Sequence, residues 1–194
     1  MYFGSLFDDG NEKEEQGEFG EARVRKKILR IRDQLGEFYF YNDMYIENGD
    51  RIYQIDHILL TSNGVFVIET KAVSGKVYAT KDGELWTSII YGKRTTFLNP
   101  IYQNNLHINA LKQVLGNEFK YHSVIVFTER NKPNNVAINI VNIKELQDYL
   151  LGFKSTKKIN HEGMMHIKIF LDETQQNRAQ LKVKHKQMLD TFKH

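Results

Sequence analysis

The sequence predicts an α/β protein in which helices flank a mixed β-sheet. Three observations carry that expectation. A helical apolar stripe opens the chain; two apolar runs, residues 52–60 and 65–71, meet at Asn63-Gly64; and a further apolar run at 123–128 follows a second helix. Helical and strand periodicities alternating in this way belong to layered folds. With 194 residues and 41% hydrophobic content, the chain can bury a substantial core as one main domain.

Residues 1–16, with Asp8, Asp9, Glu12, Glu14 and Glu15, read as a flexible acidic leader. A helix is expected over 17–35, because Val24, Ile28, Ile31 and Leu35 recur at helical spacing and Gly36 supplies a stop. Glu21 stands three residues before Val24, on the stripe that the apolar residues bury. A first-turn glutamate favoured by the helix dipole accounts for it equally well. Arg23, Lys26, Lys27 and Arg30 form a basic stripe on the other face, either solvated or available to phosphates.

Residues 38–47 form an aromatic-rich strand, Asn48-Gly49-Asp50 a turn, and the runs 52–60 and 65–71 an antiparallel hairpin, for which Asn-Gly is the strongest local signal. Glu69 and Lys71, two apart, share one face of their strand. Asp56, a lone carboxylate in the preceding apolar strand, falls close to opposite Glu69 or Lys71. Short strands at 75–80, 84–90 and 95–98 then decorate one edge, with Trp86 and Tyr91 as packing anchors or base-stacking groups.

Asn99-Pro100 has the N-cap and first-turn chemistry of a second helix, which buries Ile101, Ile108, Leu111 and Leu115 and ends at Gly116. Gln103 and His107 are an i, i+4 pair off that stripe, within possible reach of the acidic residues. Strands are expected at 123–128 and 136–141, then a short helix capped by Asn142 with Ile143, Leu146 and Leu150 inward. A basic linker at 154–158 leads to a last helix over 173–192, whose Leu181, Met188, Leu189 and Phe192 pack on the domain or on another copy. His161 and His166 are five apart rather than four, so they do not share the helical face that a zinc-hydrolase motif needs.

The chain has no cysteine, which excludes disulfides and thiolate zinc sites. No run approaches a membrane span and the first residues are acidic, so a soluble, cytoplasmic protein is expected. A net charge of +3 permits a polyanionic partner without requiring one. Converging carboxylates repel, and a divalent cation with a preference for oxygen ligands relieves that cost. An internal ion pair of Lys71 with Glu69 or Asp56 is the plainer alternative.

The order of Glu21 on a helix, Asp56 on a strand, and Glu69-Thr70-Lys71 after a hairpin resembles the metal-dependent nuclease core of the restriction-endonuclease-like superfamily. More of the chain resembles one branch, the nuclease-related domain (NERD) family: Gly17-Glu18-Phe19-Gly20-Glu21, Gln54-Ile55-Asp56-His57, Gly64 through Lys71 with Gly75, Trp86, and Asn99-Pro100-Ile101-Tyr102-Gln103. The resemblance implies a restriction-endonuclease-like mixed sheet flanked by helices, with an added hairpin region. It also implies a DNA-hydrolysing role in processing, repair or defence, and dependence on Mg2+ or Mn2+. Carried over by position, Asp56, Glu69 and the Thr70 carbonyl would hold the metal, with Glu21 completing the acidic cluster. Lys71 would orient or activate water, and Gln103 would position substrate or water. The expected organisation is a leader over 1–16, the nuclease-like domain over 17–152, and a linker and packing helix over 153–194. The expected partner is nucleic acid, DNA first, with a homodimer or larger DNA-processing assembly compatible. A non-catalytic nucleic-acid-binding or protein-interaction module on the same fold is the alternative.

Overall fold

The computed structural model describes residues 9–129, 131–134 and 136–191. In chain order its elements are α1 (Asp9–Leu29), β1 (Phe38–Asn48), β2 (Arg51–Thr61), β3 (Gly64–Lys71), β4 (Lys76–Tyr78), β5 (Leu85–Ile90), β6 (Lys93–Leu98), α2 (Pro100–Leu115), β7 (Tyr121–Phe127), β8 (Ile140–Asn142), α3 (Leu146–Gly152), α4 (His161–Gln176) and α5 (Arg178–Thr191). One mixed sheet runs β1-β2-β3-β7-β8, antiparallel through β3 and parallel from β3 to β8. A separate antiparallel sheet, β4-β5-β6, is inserted between β3 and α2.

The sheet is covered on both faces, as its continuous apolar strands require. Ile108, Leu111 and Leu115 of α2 and Met164, Ile167 and Leu171 of α4 pack on Ile58, Leu60, Val65 and Val67. Val24 and Ile28 of α1 and Leu146 and Leu150 of α3 pack on Leu59, Phe66 and Ile68. Burying each such side chain stabilises by about 1.5–3 kcal/mol, so these two layers drive folding. The inserted sheet is anchored by Trp86, which is buried against Phe127 and donates its indole N–H to the Thr80 carbonyl at 2.8 Å. That makes Trp86 a packing anchor, while Tyr91 at the hairpin tip is fully exposed.

The expected alternation fails at one place. Tyr41 and Met44 of β1 both face the α2 and α4 layer, as do Ile55 and Ile58 of β2. Residues three apart on a regular strand face opposite sides. The pleat changes phase at Asp43, which has φ +49°, and at Asp56 across from it in the register. A non-glycine residue with positive φ in a strand is uncommon and tends to mark function.

Several element bounds differ from expectation. The stretch read as a flexible leader is helical from Asp9 onward, where an acidic run at a helix N-terminus is favoured by the dipole; residues 1–8 lie outside the described residues. The first helix ends at Leu29, and a short 3-10 turn at Arg32–Gln34 replaces its last turn. The strand expected over 136–141 is confined to Ile140–Asn142, and Asn142 forms a turn by accepting from the Lys144 N–H at 3.1 Å instead of capping α3. The last helix expected over 173–192 is two helices. Asn177 divides them, its side-chain amide donating to the Glu173 carbonyl at 3.2 Å. α4 starts much earlier, with Asn160 Oδ1 accepting from the Gly163 N–H at 2.9 Å. Leu181 is buried and Leu189 exposed; Phe192 lies outside the described residues. Among the described residues no helix is long and apolar enough to cross a membrane.

Candidate active site

The hairpin register pairs His57 with Ile68, which brings Asp56 opposite Glu69. Glu69 and Lys71 then face α2 from the end of β3. Helix α2 is held there at two points. Asn99 accepts from the Ile101 N–H at 2.9 Å and donates to the Gly83 carbonyl at 2.7 Å. Buried Asn104 donates to the Val67 carbonyl at 2.8 Å and to Ser123 Oγ at 2.9 Å. These bonds set Gln103 and His107 over the strand end.

Lys71 Nζ lies 2.7 Å from Glu69 Oε1 and donates to Gln103 Oε1 at 3.0 Å. Asp56 Oδ2 accepts the Thr70 N–H at 2.7 Å, so the backbone orients one carboxylate oxygen. Glu69 is only 2% exposed, and its Oε2 is buried without a hydrogen-bond partner among the described residues, with His107 Nδ1 at 3.6 Å.

Glu21 reaches the same cavity from α1. Gly20 makes this approach possible: a Cβ there would sit 2.8 Å from the Cβ of Ala72, so the helix crosses the strand end closely only because the side chain is absent. The cavity, of about 650 Å³, is lined by Glu21, Asp56, Glu69, Thr70, Lys71, Gln103 and His107. The structure thus gathers every expected site residue into one place.

The electrostatics follow from three carboxylates facing one lysine. Burial, then Asp43 and Glu69, push the Glu21 carboxyl up to about 7. Burial, followed by the Glu69 and Glu21 charges, raises Asp56 well above the usual carboxylate range. His107 is shifted the other way, because burial disfavours its cation more than nearby Glu69 favours it. Carboxyls crowded in this way cannot all ionise freely, so Glu21 and Asp56 hold their protons more tightly, and a cation bound between them would favour the ionised forms.

This arrangement fits a hard divalent cation. Magnesium takes oxygen ligands, commonly one or two carboxylates with retained waters. Glu69 Oε2 is an orphaned buried acceptor, and Asp56 commits one oxygen to the Thr70 amide. Among the described residues no three His, Cys, Asp or Glu side chains close up as an all-side-chain metal cage. Two carboxylates and a backbone carbonyl remain within the magnesium pattern.

Asp43 and the end of helix α5 join the site without any sign in the sequence, and His107 is more deeply buried than its pattern suggests. Asp43 accepts from Gln54 Nε2 at 2.8 Å and pairs with the Arg178 guanidinium, whose Nε also donates to the Asp43 carbonyl at 3.0 Å. No local pattern announces Asp43; the β1–β2 register does. His107 was visible as the partner of Gln103, but its burial was not. His185, Met188 and Leu189 of α5 line the cavity from the far end of the chain.

The nuclease-related domain family matches residues 16–128. An uncharacterized protein of Bacillus anthracis is 29% identical over 161 residues, covering 82% of this chain and 72% of its own length. No solved structure matches at a significant level.

Proposed function

The chain belongs to the nuclease-related domain family, and from that premise we propose that it is a metal-dependent nuclease that hydrolyses DNA phosphodiester bonds in processing, repair or defence. The observation that carries the reading is the buried Glu69 Oε2, without a hydrogen-bond partner among the described residues, beside Asp56, with Lys71 between Glu69 and Gln103. Asp56, Glu69 and the Thr70 carbonyl are the groups that would hold Mg2+ or Mn2+, and Glu21 completes the acidic cluster. When bound, such an ion polarises the phosphoryl oxygen and lowers the pKa of a coordinated water.

The chain's own residues set the geometry of attack. An ammonium has three donors. Lys71 gives one to Glu69 and one to Gln103, which leaves a third for a phosphate oxygen or the attacking water. Because Gln103 faces Lys71 through Oε1, its amide N–H groups are available to the substrate. His107, held neutral by burial, adds no charge and backs Glu69 from α2. Arg178 pairs with Asp43 and holds it beside α1, where its charge adds to the repulsion that raises Glu21.

The test is cleavage of labelled linear, circular and single-stranded DNA with Mg2+, Mn2+ or EDTA, wild type beside Lys71→Ala. Metal-dependent cutting lost in the variant supports the reading, and the panel identifies the substrate. One observation favours a second reading, a nucleic-acid-binding module without turnover: Lys71 and Glu69 already neutralise each other at 2.7 Å. Wild-type protein that binds DNA but cuts none of the panel in either metal would select it.

A further inference from the structure

On the flank of α1 away from Glu21, a cleft of about 440 Å³ opens between the helix and the end of β8. Lys26, Lys27 and Arg30 line it from α1, and Lys144 from the segment after β8. The nearby carboxylates are already committed. Glu129 accepts from Arg23 Nη1 at 2.8 Å, and Glu145 pairs with Lys132 at 2.6 Å. Lys26, Lys27, Arg30 and Lys144 make no ion pair with carboxylates of the described residues.

A helix dipole favours cations near the C-terminal end of α1. It does not account for Lys144, which comes from another element and faces the same cleft. The walls are also fixed by hydrogen bonds: Arg23 Nη2 to the Thr128 carbonyl at 3.0 Å, Gln147 to the Lys27 carbonyl at 2.9 Å, and Asn142 to the Glu129 carbonyl at 2.6 Å. Four unneutralised cations on a rigid frame match a repeating anion.

We propose that this cleft is a second nucleic-acid contact, which grips the sugar-phosphate backbone outside the catalytic cavity. Lys26 and Arg30 lie five and nine residues beyond Glu21, about 7.5 and 13.5 Å farther along the helix axis and on its other flank, so a backbone held there runs outside the cavity. The contact is to phosphate, so it carries position and not sequence. The inference rests on the nuclease reading for the identity of the partner, but not for turnover.

The experiment is fluorescence anisotropy of a labelled DNA duplex across a salt titration, in EDTA so that nothing is cut. Wild type is compared with Lys26→Gln/Lys27→Gln/Arg30→Gln/Lys144→Gln, and with a charge-matched control, Lys120→Gln/Lys154→Gln/Lys157→Gln/Lys158→Gln. Thermal melts check that both variants fold. The cleft variant should bind at least tenfold more weakly, with the slope of log K against log salt reduced by about 3 to 4, while the control stays near wild type. Equal losses in both variants, or none in the cleft variant, overturn the proposal, as does wild type that does not bind. Cleavage assayed separately keeps the two readings apart. A cleft variant that loses binding although wild type never cuts would support this contact and count against the nuclease; normal binding by the cleft variant of an active enzyme would do the reverse.

Discussion

Lys71→Met removes the ammonium 2.7 Å from a glutamate that is 2% exposed, in a cavity that two further carboxylates, Glu21 and Asp56, also line. Breaking a buried ion pair by deleting one partner costs about 3–5 kcal/mol. The Lys71 side chain is 17% exposed, so the low end applies, about 3 kcal/mol. For a chain of this size that lowers the melting temperature by around 6–12 °C, at about 2–4 °C per kcal/mol. The double variant Lys71→Met/Glu69→Gln removes both charges and should recover about 2 kcal/mol of the loss, a coupling within the range for contacting residues. Urea denaturation at pH 8 in EDTA measures all three proteins. Added Mg2+ at ten times its dissociation constant should return about 1.4 kcal/mol to Lys71→Met, since it binds the folded state alone. Lys71→Met as stable as wild type in EDTA, with no response to Mg2+, would refute the electrostatic account.

Gly20→Ala should destabilise by about 1–2 kcal/mol, overpacking outweighing the gain in helix propensity, and should impair cleavage by moving Glu21. Gly17→Ala, with open space around the added methyl, should be neutral or stabilising in the same melts. Gln103→Ala should lose about 10–100-fold in cleavage rate with little change in stability, as for groups that orient an active residue; full activity would remove Gln103 from the mechanism. His122 is packed against Phe66 and Phe153, and burial holds its pKa below the ordinary 6.5. The unfolded chain therefore takes up the proton first, and stability falls as pH drops below 6.5. His122→Gln should make the fall in melting temperature between pH 7 and 5 shallower without abolishing it, because His57, His107 and His185 are shifted the same way; an unchanged slope would show that His122 does not contribute.

Much of the site was readable because its determinants are local. Asn63-Gly64 sets the hairpin, the period of two puts Glu69 and Lys71 on one face, and Asn99-Pro100 starts α2 so that Gln103 arrives over Lys71. Both faces of the sheet followed from the apolar strands and the α1 and α2 stripes. The remainder depends on pairing between distant segments. Asp43 sits in an aromatic-rich run where a single acid reads as an interruption, and only the phase change opposite Asp56 gives it meaning. Helix α4 did have a signal, since Asn160 caps Met164, Ile167 and Leu171 at helical spacing. That stripe is interleaved with and runs past His161 and His166, whose own spacing carries no helical-face signal. The approach of α5 to the cavity follows from tertiary contacts alone, Met188 Sδ accepting from the Ile52 N–H at 3.4 Å and Arg178 holding Asp43.

Single-turnover cleavage of an end-labelled DNA duplex, with wild type and Glu69→Gln each in Mg2+ and in EDTA, tests the central claim most directly. Wild type should cut in Mg2+ and not in EDTA, and Glu69→Gln should fall to the EDTA background while remaining folded. Equal cutting by Glu69→Gln, or cutting by wild type that persists in EDTA, would contradict the assignment of this cavity as a metal-dependent nuclease centre.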